Sequence, residues 1–235
     1  SSATSDIAGP DAEVLHWWTS GGEAKSVAVL QKEFADNGGT WTDIPVAGGG
    51  GDAAMAALPA RVLSGNAPTA VQLKGPAIQE WYEEGVLADI SSVAEAQGWS
   101  AVLPASIAGH MKCEGSWCAA PVNVHRVDWI WANASVLEAN GIDMPSTWDE
   151  FNAAAEKLQA AGIIPLAHGG QAWQDATVFE AVALGILGAN GFHKAFVELD
   201  EETLTSDAMV AVFDQMRKMR GYVDPNFSGR DWNLA

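Results

Sequence analysis

Two adjacent tryptophans, Trp17 and Trp18, end a short apolar run and precede the turn residues Thr-Ser-Gly-Gly. Side chains of an extended segment point alternately to opposite faces, so both indoles cannot enter one core unless the chain bends between them. We therefore expect at least one indole to be exposed. An aromatic ring at the carboxyl end of an early strand, just before a helix, lies where open α/β sheets bind their ligands. The alternative is that one ring packs under the next helix and the other is an incidental surface residue.

Polar donors follow a later apolar run, in the segment Gln72-Leu73-Lys74-Gly75-Pro76. Gln72 and Lys74 are two residues apart, so on a strand they share a face. Together they offer amide and ammonium donors beside the ring that Trp17 presents. The alternative is a solvated strand end.

A run of four glycines, residues 48–51, precedes a predicted helix, and such turns can cradle phosphates. No Gly-Lys-Ser/Thr follows, which excludes a nucleoside-triphosphate loop. The run loosely matches a dinucleotide fingerprint, but it follows the second predicted strand rather than the first. Residues 70–74, about twenty positions on, include no acidic side chain for a ribose. We therefore interpret the run as a turn, and the sequence predicts no cofactor.

The elements that would position these residues alternate between strand and helix. The hydrophobic spacing predicts strands at 14–18, 41–46 and 69–73 and helices at 23–36 and 53–64. Pro59 implies a kink or a late start in the second helix. Because strand-helix-strand crossovers are nearly always right-handed, this order predicts a parallel sheet with helices on both faces.

The rest of the chain predicts more helix than strand. We expect helices at 76–84, 92–98, 105–111, 134–140, 147–161, 172–188 and 206–220, a short buried strand at 163–167 and a loop around Trp232 at 222–235. A long alternating run at 121–131 suggests a chain that leaves one lobe for another. The predicted organisation is a flexible N-terminus at 1–12, an α/β lobe at 13–124 and a second, mostly helical α/β lobe at 125–235.

The charge balance limits the partners. Thirty acidic residues against 12 basic ones give the 235-residue chain a formal charge of −18. Such a charge repels phosphate backbones and anionic lipids, which argues against binding to nucleic acid or to a membrane surface and favours a neutral or cationic small ligand. No stretch approaches the roughly 18 apolar residues of a membrane span, and residues 1–12 lack the pattern of a secretion signal. They look like a mature N-terminus or a linker.

The two cysteines, Cys113 and Cys118, flank the turn sequence Glu-Gly-Ser, which suits a hairpin whose flanks could be cross-linked. A disulfide here would indicate an oxidising compartment. A metal site that adds His110 and His125 is a rival, although this spacing matches no usual zinc pattern. Reduced, buried thiols are the third alternative.

Four segments occur along the chain in one order: EVLHWWTSGGE from Glu13, QLKGP from Gln72, YEEGVLADI from Tyr82 and PVNVHR from Pro121. Together they resemble the carbohydrate-binding proteins of ABC sugar importers, most closely the glucose/mannose-binding subgroup. The resemblance implies a two-lobed periplasmic-binding-protein fold with mostly parallel sheets, in which the chain first crosses between lobes near 121–126. It also implies a protein without cofactor or catalysis that closes on a monosaccharide, glucose first, with mannose or galactose as alternatives.

The same resemblance assigns residues and partners. Stacking tryptophans correspond to Trp17 or Trp18 and to Trp232, and polar contacts correspond to Glu23, Gln72 and Lys74. The hairpin of Cys113 and Cys118 is similar to one that is disulfide-linked in relatives. The implied partners are the sugar and the membrane permease subunits of the importer, and the implied location is periplasmic or extracellular, after removal of a signal peptide.

Proteins of this family are much longer and return to the first lobe, so the sequence resembles an N-terminal fragment. We expect its sheet to show an open edge, or an edge filled by the missing C-terminal segment as a separate chain. We also expect Trp232 to lie across a cleft from Trp17 or Trp18.

Two other classes of protein remain possible on the residues alone. A glycoside hydrolase would use the same aromatic rings but needs two carboxylates about 5 to 9 Å apart, one with a raised pKa. Only Glu23 lies near the predicted site, and no second carboxylate pairs with it in sequence. In a structural or protein-interaction domain, all the tryptophans would be core.

Overall fold

The computed structural model describes residues 9–125 and 127–235, and the chain divides into two compact units between Val124 and His125. Most of the predicted N-terminal segment 1–12 therefore lies outside the described residues, as does Arg126 of the predicted crossing. The first described strand already begins at Asp11.

The first unit begins with the predicted alternation of strand and helix. Its elements are β1 Asp11–His16, α1 Gly21–Asp36, β2 Thr40–Pro45, a short 3-10 turn Gly49–Gly51, α2 Asp52–Leu63 and β3 Ala70–Val71. Both β2 and β3 pair in parallel with β1, in the order β2-β1-β3. The prediction of a parallel sheet is thus confirmed, and among the described residues each outer strand has one neighbour. Pro59 lies inside α2 without ending it.

The register of the sheet brings the three carboxyl ends together. The N–H of Val46 donates to the carbonyl of His16 at 2.8 Å, and the N–H of Gln72 donates to the carbonyl of Leu15 at 2.9 Å. The strand predicted at 69–73 is shorter than expected. The N–H of Trp17 donates to the side-chain oxygen of Gln72 rather than to a strand carbonyl, so the ladder stops there.

The remainder of the first unit is short helices and a hairpin. The elements are α3 Ala77–Glu83, α4 Ser91–Ala96, α5 Trp99–Val102, α6 Ala105–His110, β4 Lys112–Cys113 and β5 Ser116–Trp117. Glu114 and Gly115, both with positive φ, make the tight turn between β4 and β5. Cys113 and Cys118 form a disulfide and pack with Ile78 in a small core. The predicted hairpin disulfide is confirmed, and the rival metal site is wrong because both sulfurs are bonded to each other.

The alternating run at 121–131 is not a strand in any of its described residues. Its apolar side chains stand in solvent, and Trp131 is 84% exposed. An alternating pattern forms a strand only where a neighbouring strand takes its hydrogen bonds, and this run has no ladder partner within the described ranges.

The second unit packs helices around one core. Its elements are α7 Ala134–Ala139, α8 Trp148–Ala160, α9 Ala172–Phe196, α10 Glu201–Leu204, α11 Asp207–Tyr222 and a 3-10 turn Trp232–Leu234. Val182 and Val212 are fully buried in this core, and a capping box of Thr147 and Glu150 starts α8. Within the two described ranges, no helix is both long enough and apolar enough to cross a bilayer.

One prediction for the second unit needs correction, and another is incomplete. The strand expected at 163–167 is reduced to a single parallel bridge between Leu166 and Val223, because no longer segment runs beside it. The helix expected at 172–188 continues to Phe196. Gly188 interrupts the helical geometry with φ 68° and ψ 171°, and a second helical run follows it.

Candidate functional site

Trp17 directly follows β1 and is held by contacts from both neighbouring strand ends. Its N–H donates to Oε1 of Gln72 at 3.2 Å, and its half-buried ring packs against Gly51. Gly51 belongs to the turn formed by residues 48–51, which we call the glycine turn. The ammonium of Lys74 lies 5.8 Å from the ring centroid, within cation–π range, and donates to the carbonyl of Gly50 at 2.7 Å. The parallel sheet therefore brings the predicted Trp17, Gln72 and Lys74 together.

An open hollow of about 510 Å³ lies beside this ring, and we call it the Trp17 hollow. Its lining residues come from the segments after β1 and β3 and from the starts of α2 and α3: Trp17, Met55, Lys74, Gly75, Pro76, Ala77 and Glu80. The indole, the thioether and the proline give an apolar wall, while Lys74 and Glu80 supply one cation and one carboxylate. Such a surface can stack on an apolar ring face and hydrogen-bond to polar groups at its rim.

Trp18 lies on the other side of β1. It is buried, with 7% of its surface exposed, and borders a second, smaller hollow of about 250 Å³. The two adjacent indoles thus enter different surroundings, and Trp17 is the more accessible of the pair.

A buried histidine fixes the backbone between the two indoles. The N–H of Trp18 donates to Nδ1 of His16 at 3.1 Å. Because that N–H can only donate, Nδ1 has no proton and Nε2 carries it, donating to Oδ1 of Asp43 at 2.8 Å. Burial tends to raise the pKa of Asp43, but hydrogen bonds from Trp41, His16 and Gln31 outweigh it and hold the pKa below its ordinary value.

Two other predicted residues of the first unit stand apart from the Trp17 hollow. Glu23 is half-buried in the first turn of α1 and lines neither hollow. Gln72 does not line the Trp17 hollow either, and its side-chain oxygen instead holds the backbone of Trp17.

Trp232 belongs to the second unit, where it starts the last 3-10 turn and is 44% exposed. Side-chain pairs hold the segment that precedes it. Gln171 donates to Oδ1 of Asp231 at 2.6 Å, and Gln174 donates to the carbonyl of Arg230 at 3.1 Å. The start of α9 therefore supports the backbone that carries Trp232.

The second unit also holds two carboxyl groups with raised pKa. Burial raises the pKa of Asp128, one of whose oxygens is buried with no hydrogen-bond partner among the described residues. Burial, and then the charge of Asp128, raises the pKa of Glu180. Neither residue lines the Trp17 hollow or the smaller one.

Sequence reasoning missed Met55, Glu80 and Gly51 as neighbours of Trp17. A signal for the first two exists, because Met55 and Glu80 lie in the first turns of the helices that follow β2 and β3. Helices that follow parallel strands begin at the ligand-binding edge of the sheet. Gly51 gives no such signal, since its contact depends on the conformation of the turn.

The parallel sheet has an open hollow at its carboxyl edge, and solved structures of sugar-binding proteins share the α/β fold of this chain. A chitin oligosaccharide binding protein superposes with a TM-score of 0.74 at 21% identity, covering 96% of this chain and 57% of the other. A solute receptor described with a preference for β-D-galactopyranose superposes with a TM-score of 0.71 at 20% identity, covering 96% and 56%.

The chain belongs to the family of bacterial extracellular solute-binding proteins, whose pattern matches residues 19–235. A Brucella melitensis protein described as a "probable sugar-binding periplasmic protein" is 53% identical over 95% of this chain and 53% of its own length. A Rhizobium meliloti protein with the same description is 52% identical over 99% of this chain and 56% of its own length. The chain thus spans about half the length of these curated relatives.

Proposed function

We propose that this protein binds a monosaccharide and delivers it to an ABC importer. The observation that carries the proposal is the Trp17 hollow, where an accessible indole and the ammonium of Lys74 meet at the carboxyl edge of a parallel sheet. The relatives described as sugar-binding periplasmic proteins support the class of ligand and a location outside the cytoplasm. The disulfide of Cys113 and Cys118 also fits an oxidising compartment.

A pyranose has an apolar C–H face and a rim of hydroxyls. The ring of Trp17, with Met55 and Pro76 beside it, suits the face, while Lys74 and Glu80 suit the rim as donor and acceptor. A hydroxyl in the wrong orientation would leave a polar partner unpaired, which costs roughly 1–3 kcal/mol and discriminates between epimers. Glucose is the ligand we favour, with mannose and galactose as alternatives.

We assign the stacking role in the first unit to Trp17 rather than to Trp18, because the ring of Trp18 is buried. Trp232 is the second stacking candidate, contributed by the second unit, and Glu23 and Gln72 remain candidates for polar contacts. The permease subunits of the importer are the proposed partner, as the family implies.

Calorimetric titration with glucose, mannose, galactose and maltose tests the proposal, on this chain and on a version extended to the length of its relatives. Trp17→Ala should abolish binding. Trp131→Ala is the matched control, because Trp131 is 84% exposed and lines neither hollow, and it should leave affinity unchanged. Equal affinities for the wild type and Trp17→Ala would contradict the site. Release of reducing sugar from a glycoside would contradict a binding protein and favour a hydrolase.

A further inference from the structure

The glycine turn lies directly against the ring of Trp17. Gly50 and Gly51 have φ values of 59° and 109°, in the left-handed region that favours glycine. A Cβ placed on Gly51 would lie 3.0 Å from each of three ring atoms of Trp17, namely Cδ2, Cε2 and Cε3. A Cβ at this position would be closer to the indole than nine in ten Cβ contacts in proteins.

The equal distances show which part of the ring is covered. These three atoms are contiguous in the six-membered ring, and points equidistant from three atoms of a regular hexagon lie on its axis. The Cβ position therefore stands over the face of the ring and not at its edge. Carbon atoms attract best at about 3.5–4.0 Å, so a methyl group at 3.0 Å would push the ring away.

Lys74 ties this turn to the end of β3. Its ammonium donates to the carbonyl of Gly50 at 2.7 Å and stays within 5.8 Å of the centroid of the Trp17 ring. Oε1 of Gln72 meanwhile accepts from the N–H of Trp17 at 3.2 Å. Gln72 therefore fixes the backbone of Trp17, and the glycine turn held by Lys74 fixes its ring.

We propose that Gly51 is a positioning residue, and that the glycine turn packs against one face of the Trp17 ring and thereby sets the plane of this ring for the ligand. The effect on affinity rests on the proposed function, whereas the effect on the ring does not. Binding groups work best when they are held within about half an ångström and 10–20° of the productive geometry, so a ring that shifts or tilts to make room for a methyl group fits a sugar face less well. In this role the glycine run allows the backbone to pack closely against the ring.

The test compares Gly51→Ala with Gly48→Ala. Gly48 has φ 100°, so alanine is strained there too, but a Cβ on Gly48 would have nothing within 4 Å. The two variants share the backbone strain and differ in the contact with the ring. The readouts are the Nε1–H resonance of the Trp17 indole, assigned with Trp17→Phe, and the Kd for glucose. We expect Gly51→Ala to shift the resonance and to weaken binding at least tenfold, and Gly48→Ala to change neither.

A double-mutant cycle covers the case in which Gly51→Ala folds but is destabilised, so that its weaker binding could reflect lost stability. The smaller ring of Trp17→Phe should relieve the contact, so Gly51→Ala should lower the urea midpoint less in the Trp17→Phe background than in the wild type. Gly48→Ala should lower the urea midpoint by the same amount in both backgrounds. Equal losses for Gly51→Ala in the two backgrounds, or equal resonance shifts for the two glycine variants, would overturn the positioning role. A wild type that binds none of the sugars refutes the proposed function, while the resonance and the cycle still decide this inference.

Discussion

The two units place their candidate tryptophans by different means. In the first unit, Trp17 follows a strand that is paired on both sides and packs against a glycine turn, and the side chains of Gln72 and Lys74 support this backbone arrangement. In the second unit, the segment before Trp232 is held by side-chain hydrogen bonds, such as that of Gln171 to Asp231. Strand order therefore sets the position of Trp17, whereas hydrogen bonds of particular side chains hold the segment before Trp232.

The interiors of the two units differ in size and in their buried polar groups. A small core beside the disulfide supports the hairpin of the first unit. The second unit buries a larger apolar cluster between α8, α9 and α11, together with the polar pair of Asn152 and Gln215. Substitution of polar side chains should therefore affect folding more in the second unit and ligand binding more in the first.

The largest effect is expected for Asn152→Ala. The amides of Asn152 and Gln215 are buried and exchange two hydrogen bonds of 2.9 Å, so alanine leaves both a donor and an acceptor of Gln215 unpaired. The free energy of unfolding should fall by about 3 kcal/mol or more, measured by urea titration. The double variant Asn152→Leu/Gln215→Leu should recover most of this loss. Equal stabilities of the single and double variants would show that unpaired groups of Gln215 do not cause the loss.

A large effect on affinity but not on folding is expected for Lys74→Met. Sugar binding should weaken by about 2 kcal/mol or more, near thirtyfold in Kd, because the ammonium donates at the Trp17 hollow. The melting temperature should fall little, since Lys74 is exposed and so is its hydrogen bond to the carbonyl of Gly50. Lys25→Met, an exposed lysine on α1, is the control for lost charge. A lower melting temperature with unchanged affinity would make Lys74 structural.

Removal of the disulfide should cost less. A loop of about six residues restricts the unfolded chain little, so Cys113→Ala/Cys118→Ala should destabilise the protein by about 2 kcal/mol at most. Thiol titration of the denatured, unreduced wild type should find no free thiol. Two titrating thiols would refute the disulfide in solution. A larger loss of stability would show that the first unit depends more on this cross-link than its short loop predicts.

The smallest effect concerns pH and Asp43. Its pKa is lowered in the folded protein, so it stabilises the fold above the unfolded value of about 4, and this contribution is lost as the pH falls through the folded pKa. The urea midpoint of the wild type should therefore fall more steeply below about pH 4 than that of Asp43→Asn. Parallel curves would show that the hydrogen bonds to Asp43 add no pH dependence to the first unit.

The sequence predicted what depends on local pattern and strand order. The parallel sheet and the convergence of Trp17, Gln72 and Lys74 follow from alternating strands and helices with right-handed crossovers. The hairpin disulfide follows from turn residues between two nearby cysteines. In each case, the interacting groups lie on neighbouring elements.

The sequence could not predict what depends on a distant partner. The run at 121–131 has the alternation of a strand, but its described residues have no ladder neighbour. The support for the segment before Trp232 comes from Gln171 and Gln174, far away in sequence, and amide side chains carry no pattern that identifies such partners. The contact of Gly51 with the Trp17 ring required backbone angles that residue types alone do not determine.

The imidazole of His16 limits how position 16 can change during evolution. The side chain must accept a hydrogen bond from the N–H of Trp18 and donate one to Asp43, while it is 96% removed from solvent. Lysine and arginine only donate, so they would remove the acceptor of the buried Trp18 N–H, and ionised aspartate and glutamate only accept, so they would place a second carboxylate against that of Asp43. Asparagine and glutamine keep both functions on one side chain. A library randomised at this position and selected for folding should therefore return histidine, asparagine and glutamine and lose the charged residues.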